Sequence, residues 1–173
     1  MACSQTLNGL VRDCEKNVGG IKAIYIANID DVASVALDST GEKIGTLTMV
    51  TSKKFKGFYF KKGQASMEVT PQFNELGEYA GEQPVISINF GRMDTTKRAQ
   101  MNALSLGELA VIVLDNNGMY WYIGYDQSVL RTGGNAQTGS NKTDTNQYAL
   151  ELTGDDNQLP YEIEATVAEG VIE

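Results

Sequence analysis

Chemistry at a protein site needs groups that exchange protons, hold metals or attack carbon, and this chain contains no histidine. That removes the commonest general base, a standard metal ligand and the usual partner of a Ser or Cys nucleophile. Two thiols remain, Cys3 and Cys14. Without imidazole they cannot complete a four-ligand zinc site, and they lack the CxxC spacing of redox catalysis. They are either free, as is common in cytoplasmic proteins, or joined in a disulfide that closes the N-terminal segment. The adjacent acids Asp30-Asp31 and Asp155-Asp156 sit among turn formers, where carboxylates more often build turns than act as acid–base pairs. Asp38, Thr40 and Glu42 have part of a calcium-loop spacing without the other ligands. Gly91-Arg92-Met93, Gly133-Gly134 and Gly139-Ser140-Asn141-Lys142 do not match the glycine patterns that cradle phosphate. No catalytic residue, cofactor or metal is expected, and the chain is read as a non-enzyme.

Binding has better candidates. Lys53, Lys54, Lys56, Lys61 and Lys62 interleave with Phe55, Phe58, Tyr59 and Phe60. Such a segment can serve as a nucleic-acid platform, but it fits better a hairpin with one aromatic face buried and lysines guarding its edge. Trp121, between Tyr120 and Tyr122, is expected to pack in the core and not to stack on sugars. The net charge of −8 is placed unevenly. Acids and bases balance over residues 1–142, which hold all 14 Lys and Arg. Residues 143–173 carry Asp144, Glu151, Asp155, Asp156, Glu162, Glu164, Glu169 and Glu173 with no basic residue. This acidic end argues against tight nucleic-acid binding. It suits either a solvated face or a part in assembly.

The elements that must position these residues read mainly as strands. With 173 residues, 42% of them hydrophobic, the chain suits one globular domain. No apolar run approaches the ~20 residues of a membrane span. The first residues lack the pattern of a signal peptide, so synthesis and assembly in the cytoplasm are expected. Residues 1–20 read as an arm with apolar anchors Leu7, Leu10 and Val11, ending in a flexible Gly19-Gly20 break. Residues 21–173 read as a single β-sandwich domain. Strands are expected at 21–27, closed by a turn at 28–31, and at 44–50 after a turn at 38–41. Lys53–Phe73 reads as two strands joined around Lys62-Gly63-Gln64, with Met67, Val69 and Pro71 alternating against Glu68 and Thr70. A loop over 75–83 leads to a strand at 85–90.

One helix is expected over 94–107, with Asp94 as N-cap, Met101 and Leu104 on one face and Gly107 as C-cap. The apolar run 109–114 has buried-strand length, and Asn117-Gly118 predicts a type I′ hairpin turn into a partner strand at 119–125. Residues 132–145 read as a long mobile loop. Strands at 147–152 and 161–167, joined by the turn 154–157, complete a β-sandwich or partly open barrel with one flanking α-helix.

The opening pattern, Cys3-Ser4-Gln5 followed by Gly9-Leu10-Val11-Arg12-Asp13-Cys14 and by Asn17-Val18-Gly19-Gly20-Ile21-Lys22-Ala23-Ile24-Tyr25-Ile26-Ala27-Asn28, resembles structural proteins of Bacteroides-type phages and prophages. The order of elements also resembles the phage tail tube (major tail) protein fold, a β-sandwich with one flanking helix, a long extended hairpin and terminal arms. That resemblance implies a virion subunit assembled in the host cytoplasm into hexameric rings. The rings would stack into a tail tube through which DNA passes without tight binding. It also implies other tail proteins as partners and no membrane. Leu7, Leu10 and Val11 in the arm, and Phe55, Phe58, Tyr59, Phe60, Met67 and Val69 in the hairpin, become candidate subunit contacts. Glu162 and Glu164 become candidate lumen-facing charges that repel passing phosphates. Other expectations are a capsid-decoration, stopper or connector protein, or a carbohydrate- or surface-binding sandwich with Trp121 and Tyr122 as its platform.

Overall fold

A computed structural model describes residues 9–12 and 14–173. Strands β1 (Ile21–Asn28), β2 (Val32–Leu37), β3 (Lys43–Met49), β4 (Lys56–Phe58), β5 (Ala65–Phe73) and β6 (Tyr79–Gly91) lead into helix α1 (Thr95–Leu106). Then come β7 (Leu109–Asp115), β8 (Tyr120–Ile123), β9 (Leu130–Gly133), β10 (Ala136–Gln137), β11 (Gln147–Thr153), β12 (Tyr161–Ile163) and helix α2 (Ala165–Val171). A seven-stranded sheet runs β2-β3-β12-β8-β7-β1-β4, and a five-stranded one runs β10-β11-β6-β5 with β9 also on β11. The fold is mainly β and sandwich-like, with α1 flanking it.

Strand β7 explains how the two layers are held. Every second residue of Leu109-Ala110-Val111-Ile112-Val113-Leu114 points to the same side, and both sides are covered. Leu109, Val111 and Val113 meet Ile86, Ile88, Leu150 and Leu152 of the smaller sheet, with Met101 and Leu104 of α1. Ala110, Ile112 and Leu114 meet Tyr122, Ile163, Phe55 and the α2 residues Ala168 and Val171. A strand buried on both faces reads as a continuous apolar run, which is why this one lacks alternation. Each large side chain it buries contributes roughly 1.5–3 kcal/mol.

Several expectations are corrected. The segment Lys53–Phe73 is not a hairpin. Its first strand, β4, pairs with β1 in the larger sheet, while β5 pairs with β6 in the smaller one. The chain therefore crosses between layers through residues 59–64. The long hairpin is instead β5–β6, with Ala65 opposite Ile88 and Phe73 opposite Tyr79. Most of the expected loop 75–83 is strand, because β6 begins at Tyr79.

Strand β2 was not expected; its Val32-Ala33-Ser34-Val35-Ala36-Leu37 is short and weakly patterned, and pairing with β3 fixes it. The last expected strand stops at Ile163, and α2 follows, its Ala168 and Val171 covering the outer face of the larger sheet. Residues 132–145 contain the end of β9 and all of β10, and the Asp144 carboxylate accepts the backbone N–H groups of Ser140 and Asn141. Gly107 follows α1 in extended conformation (φ −108°) and not in the left-handed cap geometry; a Cβ there would approach Asn28 Oδ1 at 3.1 Å.

Candidate assembly surfaces

Three polar turns with one design build the rims of the sandwich. In Asp38-Ser39-Thr40-Gly41, Asn74-Glu75-Leu76-Gly77 and Asp115-Asn116-Asn117-Gly118, the first residue's carbonyl accepts the glycine N–H. Its side-chain oxygen accepts further N–H groups: Thr40 and Gly41, Leu76 and Glu78, or Asn117 and Met119. The glycines hold φ of 74°, 75° and 92°. These are type I turns followed by a left-handed glycine, a hairpin geometry in which only the glycine needs positive φ. Asn117 has no positive φ. The expected type I′ turn is therefore corrected.

The arm's last residues are tied to one of these turns. Val18 N–H donates to Asn117 Oδ1 at 2.8 Å, and Asn116 Nδ2 donates to the Gly19 carbonyl at 2.8 Å. Gly19-Gly20 is thus a docked crossing and not a loose break. Farther out, Leu10 is 100% exposed and Val11 nearly so. Leu7 and Cys3 lie outside the described residues, and Cys14 is a free, exposed thiol.

The expected contact residues divide sharply. Phe55 is fully buried, edge-on to Tyr122 with ring centroids 6.5 Å apart, so it belongs to the core and not to a subunit surface. Its backbone pairs with the C-terminal segment through Val171 and Glu173. Phe58 packs edge-on against Phe90 at 6.3 Å. Phe60 and Met67 are half-buried against the same core, and Val69 is half-buried on β5. Tyr59 is 70% exposed and remains available for a partner.

Sequence reasoning missed the outer end of the β5–β6 hairpin. Phe73, Leu76 and Tyr79 are all exposed there, with Leu76 at 83%, and Leu159 is an exposed large hydrophobic of the loop after β11. Phe73 and Tyr79 stack edge-on at 6.1 Å, and the Tyr79 hydroxyl lies 3.1 Å from both Glu82 Oε1 and the Asn157 carbonyl, joining hairpin to loop. The Asn74-x-x-Gly77 spacing, the same as at Asp38 and Asp115, is the signal that marks this turn.

The acidic C-terminal segment is only partly free. Asp156, expected as a solvent-facing turn acid, is buried and accepts the N–H groups of Gly124 and Asp126. Buried Glu82 leaves Oε2 without a partner among the described residues. Glu162 pairs with Lys43 at 2.7 Å, and Glu173 pairs with Lys56. The ammonium of Lys43 is held above its usual range first by its hydrogen bond to Glu162, and the Glu173 carboxyl is held low by Lys56. Glu164 stays exposed at the start of α2.

Tyr122 is buried, and Trp121 is half-buried with Nε1 3.2 Å from Asp115 Oδ2, so the two do not form an open stacking platform. Among the described residues, no group of three His, Cys, Asp or Glu is placed to hold a metal, and no helix is long and apolar enough to cross a membrane.

The larger sheet also overhangs the smaller. The side chains of β2 and β3 that point toward α2 are apolar: Val32, Val35, Ile44 and Leu47. Ser34, Ala36, Thr46 and Thr48 are exposed, Ser34 standing opposite Thr48 and Ala36 opposite Thr46. The result is a ledge of small side chains ending in the six-residue edge strand β2, which among the described residues pairs with β3 alone. No protein-family model matches the chain, and no curated protein matches it either.

Proposed function

We propose that this protein is a structural virion subunit that closes into rings through its open sheet edges, the rings stacking into a phage tail tube. The observation that carries this reading is the overhanging ledge β12-β3-β2 and its free edge. A sheet that ends in a six-residue strand with one open edge, flanked by the small side chains of Ser34, Ala36, Thr46 and Thr48, is suited to continue into the sheet of a neighbouring copy. Repeated around a ring, such ledges join into one barrel whose wall carries Thr46, Thr48, Ser34 and Ala36. The ledge's lysine, Lys43, is paired with Glu162, so little free cationic charge is left there to hold phosphate and DNA can pass without sticking. Glu162 spends its charge on Lys43, which leaves Glu164 as the freer of the two candidate repelling groups. Partners would be further copies of the chain and other tail proteins.

A connector, stopper or decoration protein could use the same edge to close a ring, but it would not stack into tubes. The edge is tested with Ser34→Lys/Ala36→Lys, since edge lysines oppose strand addition. In sedimentation velocity the native protein should run as a ring or larger and the double variant as a monomer with unchanged circular dichroism. A native protein that stays monomeric at its solubility limit would overturn the proposal.

A further inference from the structure

The chain has two Asn-Gly steps, Asn8-Gly9 and Asn117-Gly118. Asn8 lies outside the described residues, whereas Asn117 sits in the turn between the paired strands β7 and β8. An asparagine followed by glycine can modify itself. The backbone nitrogen of the glycine attacks the asparagine Cγ, and the absence of a side chain on the glycine leaves that approach open. Asn116, Asn117 and Gly118 are all exposed, so solvent water reaches the turn.

The attack requires that the Gly118 nitrogen come free of its hydrogen bond and that the Asn117 carboxamide swing over it. The folded chain opposes both movements. Gly118 N–H donates to the Asp115 carbonyl at 3.2 Å. The arm holds the carboxamide at its two ends: Asn117 Oδ1 accepts Val18 N–H at 2.8 Å, and Asn117 Nδ2 donates to Asn17 Oδ1 at 3.2 Å. Neighbouring Asn116 ties down the same stretch. Its backbone N–H donates to the Gly20 carbonyl at 3.1 Å, and its Nδ2 donates to the Gly19 carbonyl at 2.8 Å. The seat is a close one, since a Cβ on Gly20 would stand 2.9 Å from Asn116 Nδ2. Residues 14–20 of the arm are nevertheless exposed, and exposed backbone hydrogen bonds are among the first to open.

We infer that Asn117-Gly118 is a self-modifying site that the docked arm keeps unreactive. When the arm lifts, the Gly118 nitrogen bonds to Asn117 Cγ, and Nδ2 leaves as ammonia, closing a succinimide ring. The proton lost by Gly118 and the one gained by ammonia are exchanged with water. Water then adds to one of the two ring carbonyls and breaks its bond to the Gly118 nitrogen. Cleavage at Cγ leaves aspartate, and cleavage at the main-chain carbonyl leaves isoaspartate; nothing is oxidised or reduced. Both products spoil the seat. A carboxylate has no N–H to donate to Asn17 Oδ1, and isoaspartate adds a carbon to the main chain inside a turn closed by the bond from Gly118 to Asp115. The reaction thus marks, irreversibly, a copy whose arm has been loose. This inference stands apart from the assembly proposed above.

Asn17→Ala/Val18→Pro tests it, because it removes both arm bonds to the carboxamide and leaves the turn sequence intact. The variant, the folded native protein and the native protein unfolded in urea are incubated in mildly alkaline buffer. Peptide mapping by mass spectrometry reads conversion at Asn117 separately from that at Asn8. The folded native protein should convert more slowly than the unfolded one. The variant should convert roughly tenfold faster than the folded native protein, since two ordinary hydrogen bonds no longer oppose opening. Equal rates in variant and folded native protein would overturn the arm's part. Equal rates in folded and unfolded native protein would overturn the protection altogether. Should the variant lose the native circular dichroism, Asn17→Ala alone takes its place and should still convert faster than native. For the seat, aged protein carrying isoaspartate at 117 should be cut by trypsin after Lys16 sooner than fresh protein. Cleavage at the fresh rate would show that the arm stays docked, and the marking of loose copies fails.

Discussion

Tyr122 poses the sharpest question at the scale of single residues. Its ring fills the space between Phe55 and the larger sheet, yet its hydroxyl has no hydrogen-bond partner among the described residues. Burial first, and the Asp156 charge second, push the phenol well above its usual range, so the group stays protonated at every physiological pH. An orphaned buried hydroxyl costs stability and its deletion costs little. Tyr122→Phe should therefore melt at or above the native temperature, with stability within about 1 kcal/mol of native or better. A loss of roughly 2 kcal/mol or more in denaturant unfolding would mean that the hydroxyl has a partner. Side-chain burial of this kind was partly legible in sequence: Trp121, between Tyr120 and Tyr122, is expected to pack in the core, and it lies partly buried against it. Phe55 was misjudged because it stands among five lysines and three further aromatics, and the return of the C-terminal segment over it is what creates its pocket.

At the scale of elements, legibility followed locality. Helix α1 was readable because its signals are contiguous: Asp94 caps it by accepting Lys97 N–H at 2.8 Å, and Met101 and Leu104 turn one face to the core. Strands β1 and β7 were readable from their β-branched, apolar runs. The β5–β6 hairpin was not, because Lys62-Gly63-Gln64 resembles a hairpin turn and nothing local reveals that the chain changes sheet there. The same holds for β2 and α2, whose short segments depend on partners far along the chain.

The cap also makes a pH prediction. The Asp94 carboxyl is held below its usual range, foremost by its hydrogen bond to the Lys97 ammonium and then by the Lys97 N–H. A carboxyl with a depressed folded pKa adds stability above its unfolded pKa and loses it as pH falls through the folded one. Asp94→Ala should therefore lower the melting temperature at neutral pH, and the difference should vanish in strong acid. Asp94→Asn, which keeps a capping oxygen but not the charge, should fall between the two. A difference independent of pH would show that the charge contributes nothing.

At the scale of the whole molecule, the two sheets differ in width, and that mismatch is what a folded sandwich does not need for its own stability. The ledge of β3 and β2 and the exposed hairpin tip are two surfaces that a lone subunit leaves unsatisfied. None of this was visible in composition, because the width of a sheet and the distance between two patches are set by strand order and register. The central claim, self-assembly into stacked rings, is tested most directly by electron microscopy of the purified protein at high concentration. The account predicts tubes built of evenly spaced rings with a central channel. Particles that remain single compact monomers in every field would contradict it.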